Sequence, residues 1–259
     1  MGGSDDTQEA NKNAKATKIR ASSKEAKDLL QAAVDGRLED LKDHIKNNKN
    51  RMIPTVVCSS GNHALTWASG NGHGHIVDYL LRPLEENETP EPLFHADSPA
   101  MGKSQGRTAL HYACRNGHDH VVRKLVEEYG ANPNVKARHS VTPLQLAVWQ
   151  GRLSIARYLV QTGGVDPQQT NDFECGLVHW LGLAPRNSPV VEMAKWLHEE
   201  LELPMQHVVQ RQLHSPLHKA AWGGHLDLCR YLHETVGLWD DRPDAAGNYA
   251  VDLARMAQH

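Results

Sequence analysis

The chain has 259 residues, 39% of them hydrophobic and only 5% aromatic, with a formal net charge of -3 at pH 7 and an isoelectric point near 6.6. Such a balance is not the strongly basic surface that tracks nucleic-acid phosphates, and no stretch approaches the roughly 20 apolar residues of a membrane span. Cys58, Cys114, Cys175 and Cys229 form no C-x-x-C pair and read as small buried apolar residues in a reducing compartment, the cytoplasm or the nucleus, rather than as disulfides or a zinc site.

Residues 1–20 carry almost no large apolar side chains and are expected to form a disordered tail. That tail has no apolar core for a signal peptide. It also has Asp6 where a myristoylation motif needs Ser or Thr. Lys12, Lys15, Lys18 and Arg20 are too diffuse for a strong nuclear signal. Beyond the tail one phrase recurs, clearest in Thr108-Ala109-Leu110-His111-Tyr112-Ala113-Cys114-Arg115-Asn116-Gly117-His118. The residues in its first position are His63, Thr108, Thr142, Gly176, Ser215 and Tyr249. They are separated by 34 residues, except for 45 between His63 and Thr108 and 39 between Gly176 and Ser215. A degenerate copy lies upstream, with Leu29, Ala32 and Gly36 in the places of Leu65, Ala68 and Gly72.

Each residue type in the phrase has a physical job. Thr142-Pro143 and Ser215-Pro216 read as helix N-caps followed by proline in the first turn. The Leu and Ala spacing gives a short helix one apolar face. Gly36, Gly72, Gly117, Gly151 and Gly224 end it with the left-handed backbone of a tight turn. A second helix follows each time, as in Val121-Val122 with Leu125-Val126 and Ile155-Ala156 with Leu159-Val160. Tyr79, Tyr158, Trp196 and Tyr231 recur at one place on it, which points to stacking between repeats. No helix pair buries enough surface to stand alone, whereas stacked pairs share a core.

The phrase resembles the ankyrin repeat and its T-P-L-H-x-A signature. The resemblance implies an all-α solenoid of about seven helix-turn-helix repeats joined by short hairpin loops. They fall at 25–60, 61–106 with a loop insertion, 107–139, 140–172, 173–213, 214–246 and a partial C-terminal cap at 247–259. It implies that His111, His179 and His218 bridge adjacent repeats, with Gln145 able to do the same and Thr66 and Asp252 departing. With His73, His118 and His225 in the Gly-His place of the repeat, six of the 17 histidines read as structural, and no metal or other cofactor is expected. Cys175 with His179 is the nearest thing to a nucleophile and base, yet both fall on repeat positions and no orienting carboxylate accompanies them. The chain is therefore read as not an enzyme.

The family binds other proteins across its hairpin tips and the exposed ends of its first helices. Carried onto this chain, the partner-binding residues are Gln105, Arg107, Arg115, Arg138, His139, Trp149, Gln150, Phe173, Arg211, His214 and Trp222. Trp149 and Trp222 occupy helix-end positions that the fold leaves free. They are either contact hot spots or side chains folded over the neighbouring repeat. The arginines suggest an acidic or phosphorylated protein segment, the alternative being a merely solvated set. The acidic residues Glu85, Glu86, Glu88, Glu127 and Glu128 cluster elsewhere. A protein-binding scaffold or adaptor, monomeric and contacting neither nucleic acid nor membrane, is the resulting expectation. A substrate-recruiting or regulatory subunit of an enzyme complex, such as a ubiquitin ligase or phosphatase, is the alternative. The insertion at 83–106 is expected to protrude as a loop, and 182–189 to interrupt the fifth repeat beside Trp180.

Overall fold

A computed structural model describes residues 24–47, 53–82, 92–205 and 210–259; the expected tail at 1–20 lies outside them. The described chain winds as six helix pairs and a terminal helix. The pairs are α1 (Lys24–Asp35) with α2 (Leu38–Asn47), α3 (Ala64–Gly70) with α4 (Gly74–Leu81), and α5 (Ala109–Asn116) with α6 (Asp119–Arg123). Then come α7 (Pro143–Trp149) with α8 (Leu153–Gln161), α9 (Leu177–Leu181) with α10 (Val190–Lys195), and α11 (Pro216–Gly223) with α12 (Leu226–Arg230). Helix α13 (Ala250–Met256) closes the series. Helices α6, α10 and α12 each continue as one π-helical turn, at Lys124–Glu128, Trp196–Glu200 and Tyr231–Thr235.

The first helices begin where the phrase begins: His63, Thr108, Thr142, Gly176, Ser215 and Tyr249 are all N-caps. Thr142 shows why. Its hydroxyl accepts from Gln145 N at 3.3 Å while Gln145 Oε1 accepts from Thr142 N at 3.1 Å, so two backbone donors that a helix start leaves over are satisfied reciprocally. At the other end Gly117 takes φ +86°, and a Cβ there would also meet the Arg152 side chain at 2.8 Å.

Stacking builds one continuous apolar core running from Leu29 to Leu238. It is reinforced by polar ties between neighbours. His111 Nε2 donates to Val141 O at 3.0 Å, His179 Nε2 to His214 O at 3.1 Å and His218 Nε2 to Asn248 O at 3.2 Å. Gln145 Nε2 donates to Gln169 O at 3.4 Å. Where Thr66 replaces the histidine, the N-cap His63 takes over, with Nε2 3.3 Å from Ser98 O. On the second helices Tyr158, Trp196 and Tyr231 are buried, and their rings or hydroxyls engage the preceding repeat. Arg123 lies 4.4 Å from the Tyr158 ring centre, Tyr158 Oη donates to Glu127 at 2.9 Å, and Tyr231 Oη donates to Glu199 at 3.0 Å.

The expected protruding loop is corrected for its described part. Residues 83–91 lie outside the described residues, but 92–106 fold back onto the array. Phe94 is buried 4.8 Å from the His63 ring, and its N–H donates to Leu80 O at 3.1 Å. Burying a phenylalanine outweighs the freedom of a short loop.

Candidate functional site

Two rows of residues run along one face, and both follow from the repeat. The first is the row of hairpin tips, tied in series by main-chain bonds: Arg138 N to Gln105 O at 2.8 Å, Asp172 N to His139 O at 3.0 Å, Arg211 N to Phe173 O at 3.2 Å and Ala245 N to Gln212 O at 3.0 Å. Gln105 and His139 reach this geometry with φ of 57° and 59°. Of the sequence-predicted residues on this row, Gln105, Arg138, Phe173 and Arg211 are exposed, while Arg107 and His139 are half-buried. Phe173 leaves 44% of its surface open and sits 5.0 Å from the His139 ring. Met101 and Leu213 add two more exposed apolar tips. Acidic side chains interleave there too, Asp172 and Glu174 being exposed.

His214 does not belong to that row. Its Nδ1 accepts from Gln210 Nε2 at 2.7 Å and its Nε2 donates to the Asp244 carboxylate at 3.1 Å. Burial, and then the Lys219 charge, lower its pKa although Asp244 opposes them. It is a loop-building residue, which corrects its expected place on the open surface.

The second row is the ends of the first helices, where the two expected tryptophans part company. Trp149 is only 7% exposed. Its Nε1 donates to Leu183 O at 2.7 Å, its ring stands edge-on to Trp180 at 6.2 Å, and the Arg115 guanidinium lies 5.2 Å from its centre. An exposed Trp149 is thus corrected to a packed one, the centre of a small second core with Val141, Leu146 and Leu183. Its cause is the short fifth first-helix. Helix α9 stops at Leu181, so the chain that follows is free to bring the Leu183 carbonyl over the preceding repeat. Trp222 stays 46% exposed.

Between Trp149 and the N-terminal repeats the helix ends enclose an open cleft of about 390 Å³, bordered by Asn62, Trp67, Tyr112, Arg115, Gln150 and Arg152 among others. Arg115 and Gln150 were expected on a binding face; Trp67 and Tyr112, which directly follow the histidine place of the phrase and for that reason read as core, are half-buried on the cleft wall. The signal that could have exposed them is Gly70. It holds the place taken by Arg115, Trp149 and Trp222 in later copies, and so leaves a notch. Even a methyl there would come within 3.3 Å of Tyr112 Cβ.

The surroundings of Cys175 and His179 do not favour a thiolate. Burial pushes the Cys175 thiol up, against the thiolate that attack requires, and His179 Nε2 is committed to His214 O. Among the described residues no three His, Cys, Asp or Glu side chains gather to hold a metal. Nor is any described helix long and apolar enough to cross a membrane.

The ankyrin-repeat family, in three copies, matches residues 29–137 and 91–171, together more than half of the chain. The chain is an ankyrin-repeat protein. No match to it is found among curated proteins. Ankyrin repeats mediate protein–protein interaction and are in general non-catalytic, which is as far as membership reaches. Helices α9 to α13 lie beyond the matched residues and continue the same ankyrin register through the N-caps Gly176, Ser215 and Tyr249.

Proposed function

We propose that this ankyrin array is a non-catalytic scaffold or adaptor that binds a protein partner along the tips and helix ends, working as a monomer in a reducing compartment. The observation that carries the reading is the exposure of large apolar side chains on one face: Phe173 and Leu213 at successive tips and Trp222 at a helix end. Folding leaves these uncovered, and interfaces concentrate energy in such aromatic residues. Arg138 and Arg211 flank them in the open and favour a partner segment with an excess of acidic or phosphorylated residues.

Affinity capture from lysate tests the reading, comparing wild type with Phe173→Ala, Trp222→Ala and with Arg138→Glu, Arg211→Glu, each pair first shown to match wild type in helical circular dichroism and melting. One set of proteins held by the wild type and lost by both variants is expected. Identical capture by all three would remove the face from consideration.

A further inference from the structure

The cleft across the ends of α3, α5 and α7 is built unlike the rest of the face. Three buried side-chain atoms of its lining, Trp67 Nε1, Gln150 Nε2 and Asn62 Oδ1, have no hydrogen-bond partner among the described residues. Leaving such a group unpaired costs about 1–3 kcal/mol, and native proteins hold few of them. Three around a single cleft leave it with polar groups to be satisfied from outside the described residues.

Charge has one sign there. Arg115 and Arg152 border the cleft, and among the described residues no carboxylate does. Helix C-termini ordinarily oppose an anion through their free carbonyls, but these carbonyls are taken. Asn71 Nδ2 donates to Trp67 O at 2.8 Å, Asn116 Nδ2 and His118 Nε2 to Gly70 O at 2.5 and 3.0 Å, and Arg152 Nε to Arg115 O at 3.4 Å. With the carbonyls occupied, the unpaired groups are mainly donors. A carboxylate offers two acceptor oxygens, one for each of the unpaired donors Trp67 Nε1 and Gln150 Nε2. A peptide also supplies what a free anion lacks, a mixture of N–H and C=O groups to pair with both ends of amides such as Asn62 and Gln150.

We propose that this cleft receives an Asp or Glu side chain from an extended partner segment, its carboxylate held by Arg115 and Arg152 and accepting from Trp67 and Gln150. The proposal rests on the reading of this face as a protein-binding surface and adds the chemistry of one subsite.

Random dodecapeptides displayed and selected on the full chain provide the probe. Selected sequences are expected to share one fixed Asp or Glu. Changing it to Asn or Gln is expected to weaken binding about tenfold, a charge-assisted hydrogen bond's worth. Binding of the acidic peptide is expected to shift the indole N–H resonance of Trp67, assigned through Trp67→Phe. That variant removes the donor but keeps a ring; its melting is expected to match wild type while its affinity for the acidic peptide falls. Gln150→Met is the second variant should Trp67→Phe fold poorly. No fixed acid, or an Asp-to-Asn exchange that leaves affinity and the Trp67 signal unmoved, overturns the proposal. So does a phosphoserine peptide that displaces its glutamate counterpart, or a shift produced by succinate alone. If the selected peptides then still lose binding in Phe173→Ala, Trp222→Ala, only the subsite fails and the face stands; if they ignore that variant too, both readings fall together.

Discussion

Trp149 and Trp222 stand at the same place in two copies of one phrase, yet one is packed and the other is open. Their own helices are alike, each starting from a Thr or Ser N-cap with proline behind it. What differs is the next repeat. After Trp149 comes α9, which ends at Leu181 and releases a carbonyl to the indole; after Trp222 comes α13, which runs on to Met256. In a stacked protein, then, a residue's role is written partly in its neighbour, and an exposed aromatic arises where the neighbour is regular.

The strongest way to break this comparison is truncation. Trp149→Ala is expected to destabilise the protein by about 3–5 kcal/mol, by cavity formation and a lost hydrogen bond. A urea midpoint unchanged from wild type would show the indole to be unpacked.

Acid offers a second lever. Burial pushes His63 and His111, both on the N-terminal side of Trp149, down to about 4 from the ordinary 6.5. The unfolded chain binds protons below pH 6.5 that the folded chain refuses, so stability is full above about 6.5 and is lost as pH falls towards 4. At pH 5 each of the two is expected to remove about 2 kcal/mol. Hydrogen exchange at pH 7 and pH 5 should show protection falling more around α3 to α7 than around α13; equal protection at both pH values would contradict it.

A finer cut is Trp149→Phe, which keeps an aromatic ring but strands the Leu183 carbonyl. It is expected to cost about 1–2 kcal/mol and to show in thermal melting as a loss smaller than that of the alanine variant. Smallest of all, Trp222→Ala is expected to change stability by no more than about 0.5 kcal/mol while weakening a captured partner by about 2 kcal/mol or more. Calorimetry of folding and of binding on the same sample separates the two, and a large folding change would assign Trp222 to packing as well.

The helix starts were legible in the sequence because each is set within four residues, in the clearest copies cap, proline or alanine, leucine and histidine. Thr142, Ser215 and their equivalents needed no distant information. Trp149 did, since its partner is a carbonyl 34 positions on in a segment that matches no repeat. Phe94 belongs to the same class, for nothing local says that a chain rich in proline and glutamate turns back to rest on His63. The cleft was hidden for a different reason. It is bounded by what Gly70 lacks, and sequence patterns built on side chains pass over a missing one.

The turn glycines carry one more implication. Gly36 lies under the ring of His73 and Gly72 under that of His118, at distances of 2.8 and 2.7 Å for an added Cβ, while Gly117 and Gly151 lie under Arg152 and Pro189. Every one of these repeats thus presents an identical socket towards its successor and a plug of its own towards its predecessor. At this joint the array therefore reuses one backbone feature from repeat to repeat, and what varies there is the side chain that fills it.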